Sequence, residues 1–204
     1  PSYIKFNSSL DKTIDQLLSE WQKTFKINFK LLNVDKDLLG FEHYIYQEYY
    51  DTIPIEWAIF KLHVKNGKIN SFSGTIWTNI HPISSPSISG DMAVKIALDV
   101  HKADLYMWQD SAEEAYLKII NKDQNATYTP QPHLVIYKTN DRESLAYKLT
   151  IYSKKPLAKK DYYIDANTGE IIDIINKIQN SDVQGTAVTK YSGTQTITTD
   201  SYNG

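Results

Sequence analysis

The 204-residue chain contains no cysteine. Disulfides, thiol nucleophiles and thiolate metal ligands are therefore excluded, while the compartment stays open. No apolar run approaches the ~20 residues needed to span a bilayer as a helix. A net charge of −2, from 22 basic and 24 acidic residues, gives no electrostatic footprint for a polyanion or an acidic membrane. Several catalytic signatures are also missing: there is no Gly-rich phosphate loop, no Gly-x-Ser-x-Gly elbow and no His-Glu-x-x-His pair. The five histidines, His43, His63, His81, His101 and His133, never fall at the i, i+4 spacing that turns two imidazoles toward one zinc on a helix. As an enzyme the chain shows no engine, and no catalytic or metal-ligating residue is assigned.

What is present is a soluble-protein composition, 41% hydrophobic and 12% aromatic, with fifteen tyrosines suited to half-buried sheet faces. Residues 9–25 set Ile14, Leu17, Leu18, Trp21 and Phe25 at helical spacing, with Ser8, Ser9 or Asp11 as the cap. Between Gly40 and Trp77 the period changes to two, and Asn66-Gly67 signals a type I′ hairpin, so about three strands are expected there. Residues 81–90 hold two prolines and four serines without periodicity and read as a linker. Helices follow over 91–103 and 111–121, the latter opening with a Ser111–Glu114 capping box. Strands then follow over 133–138, 145–152, 161–164 and 171–175, the last two joined through Asp165-Ala166-Asn167-Thr168-Gly169, where Asn167 and Gly169 tolerate left-handed dihedrals.

The expected fold class is α+β: two small helix-plus-antiparallel-sheet domains, 1–80 and 91–180, separated by the linker and followed by a polar, β-prone tail over 181–204. That tail is built largely of Thr, Ser, Gly, Tyr, Asn and Gln. It cannot form a core alone, and disorder or pairing with a neighbouring chain's edge is expected.

Candidate chemistry reduces to structure or solvated surface. His63 alternates with Leu62 and Val64 and so lies on the opposite strand face. Glu42-His43 and Glu113-Glu114 lack the enclosed pocket that tunes a catalytic carboxylate. Lys154, Lys155, Lys159 and Lys160 flank a strand connection without an aromatic platform, so no nucleic-acid partner is expected. The Asn125-Ala126-Thr127 acceptor pattern is common by chance.

An ordered set of residues does stand out: Gly40, Gln47, Ile53-Pro54-Ile55, Leu62-His63-Val64, Asn66-Gly67 and Ser73-Gly74. This stretch, 37–74, resembles the fungalysin/thermolysin propeptide domain. Leu145-Ala146-Tyr147, Tyr163-Ile164-Asp165-Ala166 and Thr168-Gly169-Glu170 are similar to a PepSY domain. In this order the two resemble the proregion of a secreted thermolysin-like zinc protease, and Val183-Gln184-Gly185-Thr186 followed by residues 190–199 is similar to the first strands of the mature enzyme. Ile45 and Tyr46 stand where the family often carries arginine before the glutamine.

The resemblance implies two cystatin-like domains and a non-enzymatic prosegment that inhibits its cognate metalloprotease and assists its folding. It implies a secreted or extracytoplasmic, bacterial setting, with the signal peptide already removed. Zinc, with calcium as a candidate second ion, would belong to the catalytic domain, leaving no cofactor in this fragment. The family-motif positions are Gly40, Gln47, Pro54, Gly67, Gly74, Asp165 and Gly169. Processing is expected between Asp182 and Val183, since such enzymes prefer an aliphatic residue after the cut. A free-standing extracytoplasmic PepSY module that binds peptides or inhibits other proteases is the alternative.

Overall fold

The structure is a computed structural model; it describes residues 3–81, 85–178, 182–189 and 193–200. Its fold class is α+β, with three α-helices and a mostly antiparallel sheet of ten strands. The first half comprises β1 (Tyr3–Leu10), α1 (Ile14–Phe25), β2 (Asn28–Lys36), β3 (Phe41–Tyr50), β4 (Ile53–Lys65) and β5 (Lys68–Gly74). The second comprises α2 (Gly90–His101), β6 (Leu105–Tyr106), a 3-10 turn (Met107–Gln109), α3 (Ser111–Asn121), β7 (His133–Lys138), β8 (Glu143–Lys155), β9 (Leu157–Asp165) and β10 (Ile171–Asn176). A separate hairpin, β11 (Asp182–Thr189) with β12 (Gly193–Asp200), ends the described chain.

Helix α1 begins later than its hydrophobic pattern suggests, because Thr13 supplies the cap. The Thr13 hydroxyl accepts from the Gln16 N–H at 3.2 Å, and the Thr13 N–H donates to the Gln16 side chain at 2.9 Å. This reciprocal pair satisfies two orphan donors, so the chain before it is free to pair as β1 with β5. The helix buries Leu17 and lays Trp21 edge-on against Phe29, Phe60 and Phe72, with centroids 6.2, 5.9 and 6.0 Å away. Such edge-to-face contacts each add about 1 kcal/mol beyond area burial. β1 and β2 bring the first half to five strands, two more than the alternation announces.

In the second half, Asp110 rather than Ser111 caps α3, accepting from Ala112 N–H at 3.0 Å and Glu113 N–H at 3.4 Å. Glu114, expected in a capping box, instead accepts the Tyr128 N–H at 2.7 Å. Helix α2 buries Ala93 and Ala97 against Leu145, Leu149, Ile151, Tyr162 and Ile164. The small alanines let the helix approach the sheet closely, and Gly90 approaches closer still: a Cβ there would meet Pro132 Cγ at 2.7 Å.

The stretch expected as a linker is tied down at its end. Ser87 and Ile88 N–H groups both donate to Ala166 O, at 2.9 and 3.0 Å, and Ser89 caps α2. The tail strands pair with each other, Asp182 opposite Asp200 and Val183 opposite Thr199. The two tail strands are thus each other's hydrogen-bonding neighbours, where a neighbouring chain's edge was expected.

Candidate functional site: a bulged junction between two half-sheets

The two halves meet at the N-terminal end of β4. Its later part pairs with β3 on one side and β5 on the other, whereas Ile55 pairs parallel with Ile136 of β7. Between these regions β4 breaks register: Gln47 lies opposite Ile59 but Tyr49 lies opposite Pro54, leaving residues 55–58 as an extended bulge facing Glu48. Trp57 carries the strain, at φ 59°.

Gln47 closes the accounting for this bulge. Its amide Nε2 donates to Ile55 O at 2.6 Å and lies 3.2 Å from Ala58 O, so one side chain ties two carbonyls of the bulge to β3. The bulge turns outward the side chains that reach the second half. Glu56 accepts from Lys148 at 2.5 Å and from the Tyr163 hydroxyl at 2.9 Å. Trp57 sits 5.2 Å from Tyr137 and 5.4 Å from Tyr163 between ring centroids. Burial, with the Glu56 carboxylate beside it, pushes the Tyr163 hydroxyl well above the ordinary tyrosine range.

Behind the bulge lies Glu48, 0% exposed. Oε2 accepts the Trp77 N–H at 2.9 Å, while Oε1 has no partner among the described residues. Burial without a counter-charge pushes this carboxyl up to about 7, only partly offset by the Trp77 N–H. The segment leaving β5 is fastened again farther on, where Glu143 accepts the His81 N–H at 2.8 Å and pairs with Lys138, whose ammonium lies over the Trp77 ring.

Gly74 stands where the strands cross. At φ 111°, a Cβ there would fall 2.3 Å from Ile59 O and 2.7 Å from Phe60 Cα, so no side chain fits. Gly67 and Gly40 need glycine for dihedral reasons only, at φ 74° and 81° with open space around them. Gly67 shares its hairpin with Asn66 at φ 52°, the type I′ pattern expected from Asn-Gly. Gly40 closes the turn in which Asp37 Oδ1 accepts from Leu39 and Phe41 N–H, each at 2.9 Å. Pro54 pairs with Tyr49 beside the bulge.

Asp165 and Gly169 lie at a different place, the β9–β10 turn. Asp165 Oδ1 accepts from Asn167 N–H at 2.9 Å and Thr168 N–H at 3.0 Å, and Oδ2 lies 3.5 Å from Arg142. Burial pushes this carboxyl up, but the two backbone N–H groups, Ser144 and Arg142 outweigh it and hold it below the usual range. Gly169 takes φ 77°; Asn167 stays out of the left-handed region. The structure therefore gathers Gln47, Pro54 and Gly74 around one bulge, and keeps Asp165 and Gly169 apart from them.

Asp182 and Val183 open β11 at its pairing with β12, and residues 179–181 lie outside the described residues. His63 is partly buried and bonded within the sheet, as its alternation implies. Lys154 pairs with Asp110 at 2.7 Å and Glu113 at 2.9 Å, leaving the lysine cluster partly neutralised. Among the described residues no group of three or more His, Asp or Glu could hold a metal, and no helix is long and apolar enough to cross a membrane. Glu48 and the Trp57 bulge escaped the sequence; their one signal is the lost alternation between Ile53 and Phe60.

Residues 27–76, which include the bulge and its fastenings, match the Fungalysin/Thermolysin Propeptide Motif. That motif and the relatives below support a thermolysin-like protease propeptide, and place this segment outside a catalytic domain. The chain is 23% identical to thermolysin of Alicyclobacillus acidocaldarius subsp. acidocaldarius over 192 residues, covering 90% of this chain and 33% of the relative. It is 27% identical to bacillolysin of Bacillus amyloliquefaciens over 202 residues, covering 95% and 36%. The chain thus spans about a third of the length of the curated relatives it matches. A solved structure, the Bacillus megaterium YpeB C-terminal domain, aligns over 88% of this chain and 73% of its own at 14% identity, with a TM-score of 0.40.

Proposed function

We propose that this chain is a prosegment that inhibits its cognate thermolysin-like metalloprotease and assists its folding. The observation that carries this reading is the propeptide motif at 27–76, set within a similarity to thermolysins and bacillolysins along nearly the whole chain. Mass action supplies the physics. A prosegment joined by a peptide bond faces its catalytic domain at an effective concentration of order millimolar, so a modest interface keeps the cleft filled. Binding the native enzyme and not the unfolded one also shifts folding toward the native state. Zinc, with calcium as a second ion, belongs in this reading to the catalytic domain, and the setting is extracytoplasmic. The chain divides into a propeptide-motif unit over 1–80, a PepSY-like unit over 91–180 and the start of the mature enzyme after 181. Gln47, Pro54, Gly74 and the glycine turns act as structural determinants of the first unit, Asp165 and Gly169 of the second.

The scissile bond is placed between Asp182 and Val183. Val183 is the only aliphatic side chain between Ile178 and Ala187, and an aliphatic residue after the cut suits such enzymes. Strand β11 is already extended there, but it must part from β12 to enter a cleft. Adding the chain in trans to the mature protease tests the reading; undiminished activity at micromolar prosegment would count against it. N-terminal sequencing of the matured enzyme tests the cut, with a start beyond Thr189 excluding Val183.

A further inference from the structure

Outside the junction, on the sheet face opposite α1, four side chains from four successive segments form one hydrogen-bonded chain. Asp37 in the β2–β3 turn lies 3.2 Å from His43 Nε2 on β3. His43 Nδ1 lies 2.6 Å from His63 Nδ1 on β4, the two being direct cross-strand partners. His63 Nε2 lies 2.9 Å from Ser73 Oγ on β5. Backbone ladders alone do not require this; the imidazoles stitch the strands together a second time.

The geometry dictates where the protons are. Ionised Asp37 only accepts, so His43 donates from Nε2 and, when neutral, presents a bare Nδ1. His63 must then donate from Nδ1, and its Nε2 accepts the Ser73 hydroxyl. A first added proton can settle on His63 Nε2, because the Ser73 hydroxyl can turn and accept. A second has only His43 Nδ1 left, where it would set N–H against N–H at 2.6 Å.

We propose that Asp37, His43, His63 and Ser73 form a pH-sensitive clasp across the first half-sheet, one that accepts a single proton and opens when acid forces in the second. In the unfolded chain both imidazoles protonate near pH ~6.5. The unfolded state therefore binds more protons than the clasped one, and stability falls as pH drops below that value, by up to about tenfold in the folding equilibrium per pH unit and proton. Burial, then His43, then Lys61 hold His63 below its ordinary range, in the same direction.

The surroundings do not cancel the effect. Lys61 and Lys65 on β4 and Lys30 on β2 share this face by register and resist a further positive charge, and β1 sets Lys5 at the position paired with Ser71. Asp37 and Asp35, the latter paired with His43, act the other way and favour the first proton. Neither relieves the steric conflict of the second. The clasp is built only from residues of this chain, so it can be tested without a protease partner.

Nitrogen-15 NMR of the histidine side chains in the full chain tests it. The expected result is a scalar coupling between His43 Nδ1 and His63 Nδ1 at pH 8 that vanishes by about pH 5, with the second protonation displaced below pH ~6.5. Urea midpoints provide the second measurement: between pH 8 and 5 the native chain should lose more stability than His43→Gln. Because the coupling is read in the native chain, it decides the matter even if the variant fails to fold. Absence of the coupling at pH 8, independent titration of both imidazoles near pH ~6.5, or identical pH slopes in native and variant chains would overturn the proposal.

Discussion

Glu48 and Asp165 are both buried carboxylates beside a sheet irregularity, yet they are pushed in opposite directions. Asp165 has two backbone N–H donors, Ser144 and a guanidinium, and is held ionised. Among the described residues Glu48 has one N–H, an orphan oxygen and no cation, and it is pushed up to about 7. The two differ in depth and in satisfaction: Glu48 is the more deeply enclosed and has the fewer donors. A carboxylate that organises a turn from inside stabilises it, while one trapped behind a bulge destabilises the fold once ionised.

The largest effect on this contrast is expected from Asp165→Ala. It removes the acceptor of two N–H groups and leaves Arg142 with Glu170 and Ser144, so a loss of about 3 kcal/mol is expected in urea unfolding at pH 7. Asp165 should also lend stability that is fully present above the unfolded carboxyl value and is lost as pH falls through its lower folded value. A neutral Asp165→Ala result would remove the satisfied half of the comparison.

Glu48→Gln should do the reverse. With its folded value near 7 against 4.5 unfolded, the folded state binds the extra proton. No cost exists below pH 4.5; it grows as pH rises and reaches roughly 3 kcal/mol above 7. The glutamine variant should therefore gain most of this at pH 8.5 and almost nothing at pH 4, as read by parallel denaturation series. Equal gain at both would show that charge is not the cause.

Smaller effects are expected around the bulge itself. Gln47→Leu leaves the carbonyls of Ile55 and Ala58 without their amide and should cost about 2 kcal/mol. Trp57→Ala removes the ring between Tyr137 and Tyr163 but relieves little backbone strain, since alanine also resists positive φ; about 1 kcal/mol is expected. Hydrogen exchange across Ile136 should rise in both variants if the bulge fastens the halves.

Much of the fold was legible where a local rule acted alone. Asn66-Gly67 announced its hairpin, and the Leu17–Trp21 stripe announced α1. Caps shifted by a residue or more because several Ser, Thr and Asp compete near a helix start, and tertiary geometry chose Thr13 and Asp110. β1 and β2 stayed hidden since an edge strand such as β2, exposed along most of its length, needs no clean alternation. The bulge was illegible for a deeper reason: Gln47 and Glu48 meet residues 55–58 only once β3 and β4 have paired. The family positions were visible as residues, but their work was not. Gly74 is required by a backbone crossing, and only the folded chain reveals that its missing Cβ leaves room for Ile59 O.

The central claim, that the chain acts on a thermolysin-like protease as its prosegment, is tested most directly by refolding. Denatured catalytic domain diluted into buffer containing zinc and calcium, with and without equimolar chain, should regain native structure substantially faster and in higher yield when the chain is present, with its activity held down until the chain is digested. Equal rate and yield in both samples, with no suppression of activity, would contradict it.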